Sequence, residues 1–134
     1  MRVRRVAFHG VRKLDGLSRD LPRTGDTDLI VIHGRYGAGK TTFLDALAAA
    51  KEYVGPYGSG DARWDSLVAS SGGAAKIVID WELSAAERAR AALDDNLLTS
   101  ESIIGRGLSA ADPSKVLKGL LTQRPDTERG SIHY

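Results

Sequence analysis

With 134 residues, 42% hydrophobic and 27% charged side chains, the chain has the size and balance of one globular domain or a piece of one. It has no cysteine, which excludes disulfide frameworks, thiolate metal sites and a cysteine nucleophile, and His9, His33 and His133 are too scattered to supply many zinc ligands. Net charge is +2, but Arg2, Arg4, Arg5, Arg12 and Lys13 crowd the first thirteen residues with no acid among them, a strip suited to phosphate or to a solvated strand face.

In chain order, residues 2–8 alternate crudely, with Val3, Val6 and Phe8 set against Arg2, Arg4 and Arg5, and read as an edge strand. Residues 14–21 return as a second strand, Leu17 and Leu21 inward, with Asp15-Gly16 making the turn. The run Leu29-Ile30-Val31-Ile32 is apolar at every position, the pattern of a strand buried on both faces of a parallel sheet. A glycine-rich loop spans 34–39, and a helix follows from 39 to 53 with Phe43, Leu44, Leu47 and Ala50 as its inward stripe. Residues 54–73 hold five glycines and form a surface connection. Residues 75–83 make a strand, and 84–94 a helix with Ser84 as N-cap and Glu87 at the capping-box position. A last helix starts at Asp112 as N-cap with Pro113 behind it, and carries Val116, Leu117, Leu120 and Leu121. Residues 131–134 resemble a strand cut short. No apolar run approaches the ~20 residues of a membrane span, and no apolar stretch of a secretory signal follows the basic start, so a cytoplasmic protein without membrane contact is expected.

The segment Gly34-Arg35-Tyr36-Gly37-Ala38-Gly39-Lys40-Thr41-Thr42 carries the chemistry. It fits G-x-x-x-x-G-K-[ST] between a strand and a helix, the P-loop pattern. Triphosphate oxygens need several backbone N–H donors close together, and side chains at Gly34, Gly37 and Gly39 would hold the backbone away from them. The helix that follows offers free N–H groups and the positive end of its dipole. Lys40 reaches the β- and γ-phosphates as a point charge, Thr41 places a hydroxyl on Mg²⁺, and Thr42 bonds a phosphate nearer the ribose. Ala38 completes the loop, and Tyr36 packs, stacks or gates the nucleotide.

The loop together with Phe43-Leu44-Asp45-Ala46-Leu47 resembles the head domain of ABC-type ATPases of the RecF/SMC/OLD group. The opening Arg2-Val3-Arg4-Arg5-Val6 is similar to that group's basic first strand, and Val11-Arg12 sits where it has an aromatic-Arg pair. The resemblance covers residues 1–50. It implies an α/β P-loop NTPase lobe: a mixed sheet with a central parallel P-loop strand, an antiparallel N-terminal strand pair and flanking helices. It further implies a nucleotide-binding core at 1–53, a glycine-rich loop at 54–73 and a variable strand/helix insertion at 74–134. ATP and Mg²⁺ are the implied cofactors, and Arg12 is an implied phosphate contact. The implied partners are a second lobe of the head, a second copy across a nucleotide sandwich, and DNA. Tyr36, where the group has Asn, and Val11, which replaces the aromatic, depart from its pattern.

The acidic pair that holds Mg²⁺ and positions water in such ATPases is missing, as is a Leu-Ser-Gly-Gly-Gln loop. Ser70-Ser71-Gly72-Gly73 only echoes that loop, and Gln123 is the sole glutamine. The expectation is therefore a nucleotide-binding lobe, inactive or very slow alone, of an ATPase that moves an attached, DNA-handling module. Two other readings compete. In one the chain is a compact P-loop kinase or NTPase, with Asp80 holding Mg²⁺ and Arg106 or Arg124 as lid arginine. In the other it is a nucleotide-dependent module that grips nucleic acid with residues 1–13. Against Asp80, the strand around it alternates with a period of two, placing Ile77, Ile79, Trp81 and Leu83 on one face. Tyr53, Tyr57 and Trp64 read as packing residues that also have the chemistry to stack on a base.

Overall fold

The computed structural model describes residues 1–22, 29–54, 64–105, 108–112, 117, 119 and 120. The strands are β1 (Arg2–His9), β2 (Ser18–Asp20), β3 (Ala74–Glu82), β4 (Leu97–Gly105) and β5 (Leu108–Asp112). The helices are α1 (Lys40–Val54) and α2 (Ala85–Ala91), with short 3-10 turns at Arg12–Leu14 and Trp64–Leu67. One five-stranded sheet has the order β2-β1-β3-β4-β5, and every ladder in it is antiparallel.

The expected parallel strand is a correction. Residues 29–32 join no ladder among the described residues; Leu29 is 84% and Val31 72% exposed, and only Ile32 packs against the core. A strand apolar on both faces needs a hydrogen-bonding neighbour and a cover on each side. The five strands have already paired with one another, and α1 covers a single face.

The sheet centres on β3, whose buried residues Ala75, Ile77, Ile79 and Trp81 alternate with half-buried Lys76, Val78, Asp80 and Glu82. The period of two read from the sequence is thus real. Phe8 stands opposite Ile77 in the ladder and meets Phe43 of α1 edge to face, ring centroids 5.3 Å apart. Ser102 also stands opposite Ile77, and its hydroxyl donates to the Ala50 carbonyl of α1 at 3.5 Å. The apolar face is therefore the α1 face. On β1 the register slips between Val3 and Arg5, so Arg4 is an extra residue opposite β3. That bulge explains the crude alternation and leaves Arg4 and Arg5 both exposed.

Strand β4 was invisible in the sequence pattern because two of its buried positions are serines. Ser100 and Ser102 lie in the core, and the Trp81 indole Nε1–H donates to Ser100 Oγ at 2.7 Å. A second difference is at residues 14–21, where only Ser18–Asp20 is a strand and Arg12–Leu14 coils instead. Asp112, expected to cap a helix, is the last residue of β5, while Leu117 and Leu120 beyond it are buried and helical. The segment 131–134 lies outside the described residues.

The capping box on α2 is present: Glu87 N–H donates to Ser84 Oγ at 3.3 Å, and Ser84 N–H to Glu87 Oε2 at 2.8 Å. Partial burial alone would raise the Glu87 pKa. The bond from the Met1 ammonium, with those from the Ser84 amide and hydroxyl, outweighs it and holds the carboxyl below its ordinary value.

Two predictions arise from this packing. Trp81→Ala should cost about 3–5 kcal/mol and Ser100→Ala about 1 kcal/mol in urea denaturation, the first by opening a cavity and orphaning a buried hydroxyl. Because the folded Glu87 pKa is depressed, its stabilisation is full above the ordinary carboxylate range and is lost as pH falls through the folded value. Glu87→Gln should therefore be less stable than the parent near neutrality, and the gap should narrow as pH falls below the ordinary carboxylate range and close once it passes the folded value.

Candidate phosphate-binding loop

The loop at 34–39 opens directly into α1, whose first turn carries no acid to offset its exposed amides. Helical bonding begins at once, with the Phe43 N–H donating to the Gly39 carbonyl at 2.9 Å. Gly37 and Gly39 have φ of +76° and +93°, left-handed backbone that L side chains rarely adopt. Packing adds a second reason for Gly39, since a Cβ there would lie 3.3 Å from Leu14 Cδ2 and 3.6 Å from Lys13 Cβ. The 3-10 turn Arg12–Leu14 is thus pressed against the loop. Leu14 and Val11 anchor that turn in the core, Val11 also bridging Val68.

Lys40 Nζ donates to the carbonyls of Gly34 at 2.9 Å and Arg35 at 3.0 Å, which draws its ammonium back over the loop. The Ala38 N–H donates to the Arg35 carbonyl at 3.1 Å and tightens the turn. Thr41 is exposed on the first turn of α1 and Thr42 half-buried beside it; Tyr36 is fully exposed and touches no core. Arg12 is exposed on the turn that flanks the loop. The loop residues picked out in the sequence thus lie at and just before α1's N-terminus, and Arg12 belongs to the turn packed against the loop. The residue that sequence reasoning passed over is Lys13, whose Nζ donates to the Gly37 carbonyl at 2.6 Å. Its only advance signal was membership of the basic strip.

The loop's chemistry suits a polyphosphate: backbone bared by glycine, a helix N-terminus with no acid in its first turn, and lysine charge, with Thr41 exposed on that first turn. Asp80 does not join it. Its side chain lies on the sheet face opposite α1, where Thr99 Oγ1 donates to its Oδ1 at 2.6 Å and Arg5 is its ladder neighbour. Ser70-Ser71-Gly72-Gly73 is an exposed turn that runs into β3 and opens no helix. Within the basic strip, Arg4 donates to the Leu21 carbonyl and Arg5 to Ser18 Oγ, so part of its charge is engaged inside the sheet. Gln123, Tyr57, Arg106 and Arg124 lie outside the described residues, as do the side chains of Tyr53 and Trp64. Among the described residues no helix is long and apolar enough to cross a membrane.

Gly39→Ala should destabilise the chain by about 1–2 kcal/mol, because it combines left-handed strain with a tight contact on a buried leucine. Gly16→Ala, also at positive φ but open to solvent, isolates the strain component. Denaturation midpoints of the two variants measure the packing share of the difference.

No family model matches the sequence, and no curated protein matches it. Among solved structures, the fold is similar to one from work on the ATP-driven dimerization and DNA-stimulated activation of SMC ATPases. The TM-score is 0.57 at 15% sequence identity, over 86% of this chain and 75% of that one. At that identity the likeness is one of fold alone: an antiparallel sheet beside a glycine-rich loop and the helix it opens into, similar to that SMC ATPase structure.

Proposed function

We propose that the chain binds ATP with Mg²⁺ through residues 34–42, as one lobe of an ABC/SMC-like ATPase head. The observation that carries this reading is the loop itself. Gly37 and Gly39 wrap it in left-handed backbone into the N-terminus of α1, and Lys40 Nζ folds back over it. In this reading Lys40 meets the β- and γ-phosphates, and Gly34, Tyr36, Gly37, Ala38 and Gly39 line the phosphate chain. Thr41 gives its hydroxyl to the metal, Thr42 bonds a phosphate nearer the ribose, and Arg12 reaches in from the flanking turn. When bound, Mg²⁺ neutralises phosphate charge. The chain's own residues bind and orient the nucleotide and hold its charge.

The apolar run 29–32, exposed at 29–31, supports the incomplete-head reading, since it is patterned for a parallel neighbour that the described residues do not provide. A second lobe, in the same or another chain, supplies that neighbour and the catalytic acid. Two complete heads then sandwich nucleotide, and hydrolysis moves an attached module that handles DNA in repair, chromosome maintenance or defence against phage. The protein similar in fold is described as dimerizing with ATP and as stimulated by DNA, which agrees with this assembly. A cytoplasmic location goes with it.

The test is nucleotide binding and phosphate release on one preparation, with and without Mg²⁺, beside Lys40→Ala. The expected result is ATP binding without appreciable turnover, weakened at least about tenfold by the substitution, as for loss of a charge-assisted contact. Absence of ATP binding by the parent chain sinks the proposal. Lys40-dependent turnover by the chain alone replaces the incomplete head with a self-sufficient enzyme.

A further inference from the structure

Lys13 is exposed on a 3-10 turn 24 residues before Gly37, yet its ammonium donates to the Gly37 carbonyl at 2.6 Å. That carbonyl belongs to the peptide unit joining Gly37 and Ala38. The N–H of the same unit donates to the Arg35 carbonyl, so the unit is fixed at both ends. Without such a tie, a peptide beside a glycine at φ +76° turns over readily. The reach of Lys13 is itself constrained, because its Cβ lies against Gly39 and the next residue, Leu14, is buried in the core. The Lys13 stem is thus braced where it leaves the turn, and only its outer end is free to swing.

We infer that Lys13 is a positioning residue for the phosphate-binding loop, clamping the Gly37–Ala38 peptide and adding a second ammonium to that of Lys40 for the phosphate chain of a nucleoside polyphosphate. This rests on the nucleotide-binding reading above. Two physical effects underlie it. Tying the Gly37 oxygen to a cation cancels its partial negative charge, which would repel phosphate oxygens. Holding the peptide in one orientation removes the ordering cost that the ligand would otherwise meet on binding. Lys40 and Lys13 grip the loop at different carbonyls, Gly34 and Arg35 for one and Gly37 for the other. The two cations therefore hold the loop at separate points, one at its start and one in its middle.

The experiment measures binding of Mg·ATP and of inorganic tripolyphosphate to the 134-residue chain, at several salt concentrations, for the parent, Lys13→Met, Lys13→Arg and Lys40→Ala. Thermal unfolding of each variant runs in parallel. Lys13→Met should weaken both ligands about tenfold, flatten the salt dependence, and leave the unfolding midpoint unchanged. Lys13→Arg, which keeps the charge and several donors, should recover much of the loss. Parent-like binding by Lys13→Met overturns the inference while leaving the nucleotide reading intact. Weak binding with a lowered midpoint and an unaltered salt dependence also overturns it, assigning Lys13 to the fold alone. If the parent binds neither ligand while Lys40→Ala behaves identically, both readings fall together.

Discussion

Contact between the turn at Arg12–Leu14 and the loop at 34–39 governs the architecture around the site. Leu14 sits in the core and leaves no room for a Cβ at Gly39 without displacement, while Lys13 holds the Gly37 carbonyl. One layer deeper, Phe8 at the end of β1 meets Phe43 on the first turn of α1. The loop is therefore seated by the strand and turn that open the chain. The residues immediately before it contribute little, since 29–31 are exposed. In physical terms the shape of the loop is imposed by tertiary packing on a glycine backbone that could adopt many others.

The sheet explains both what is stable here and what is left open. Its α1 face is an apolar layer from Val6 and Phe8 through Ile77, Ile79 and Trp81 to Ile104, under Ala46, Ala49 and Ala50 and interrupted by Ser100 and Ser102. Small residues on α1 let the helix lie close to the strands. The opposite face is half-exposed and polar, with Lys76 and Glu101 paired at 2.7 Å across β3 and β4. Asp80 belongs to that polar layer. Its separation from the loop at 34–39 is topological: alternate residues of one strand cannot serve both faces. Exposed Leu29, Ile30 and Val31 form an apolar stretch of the kind that marks an interaction surface, and burial at ~25 cal/mol per Å² would favour covering it.

Legibility varied with the kind of signal. The capping box Ser84/Glu87, the start of α1 after Gly39, and the two-residue period around Asp80 are local rules, and each is seen in the fold. Strand β4 had no such rule to announce it, because Ser100 and Ser102 occupy buried positions where an apolar residue would have revealed the alternation. Serine is tolerated there only because Trp81 Nε1–H and the Ala50 carbonyl sit opposite the two hydroxyls. Those partners are 19 and 52 residues away in sequence, so no window along the chain contains the reason. The run at 29–32 misled in the other direction: its pattern states what it would do with neighbours, and the described sheet does not supply them.

The amino-acid sequence by itself determined the chemistry of the loop, since glycine spacing, Lys40 and the threonines are covalent facts with local consequences. It also determined helices α1 and α2 and the amphipathic strand β3, whose hydrophobic periods hold within a few turns or pleats. Only the tertiary structure decided the strand order, which sheet face α1 covers, the burial of two serines and the reach of Lys13 to Gly37. Each of these depends on which distant segments share a ladder or a packing layer. That choice is set by the total apolar surface buried and the polar groups satisfied across the whole sheet, quantities that no local stretch of sequence contains.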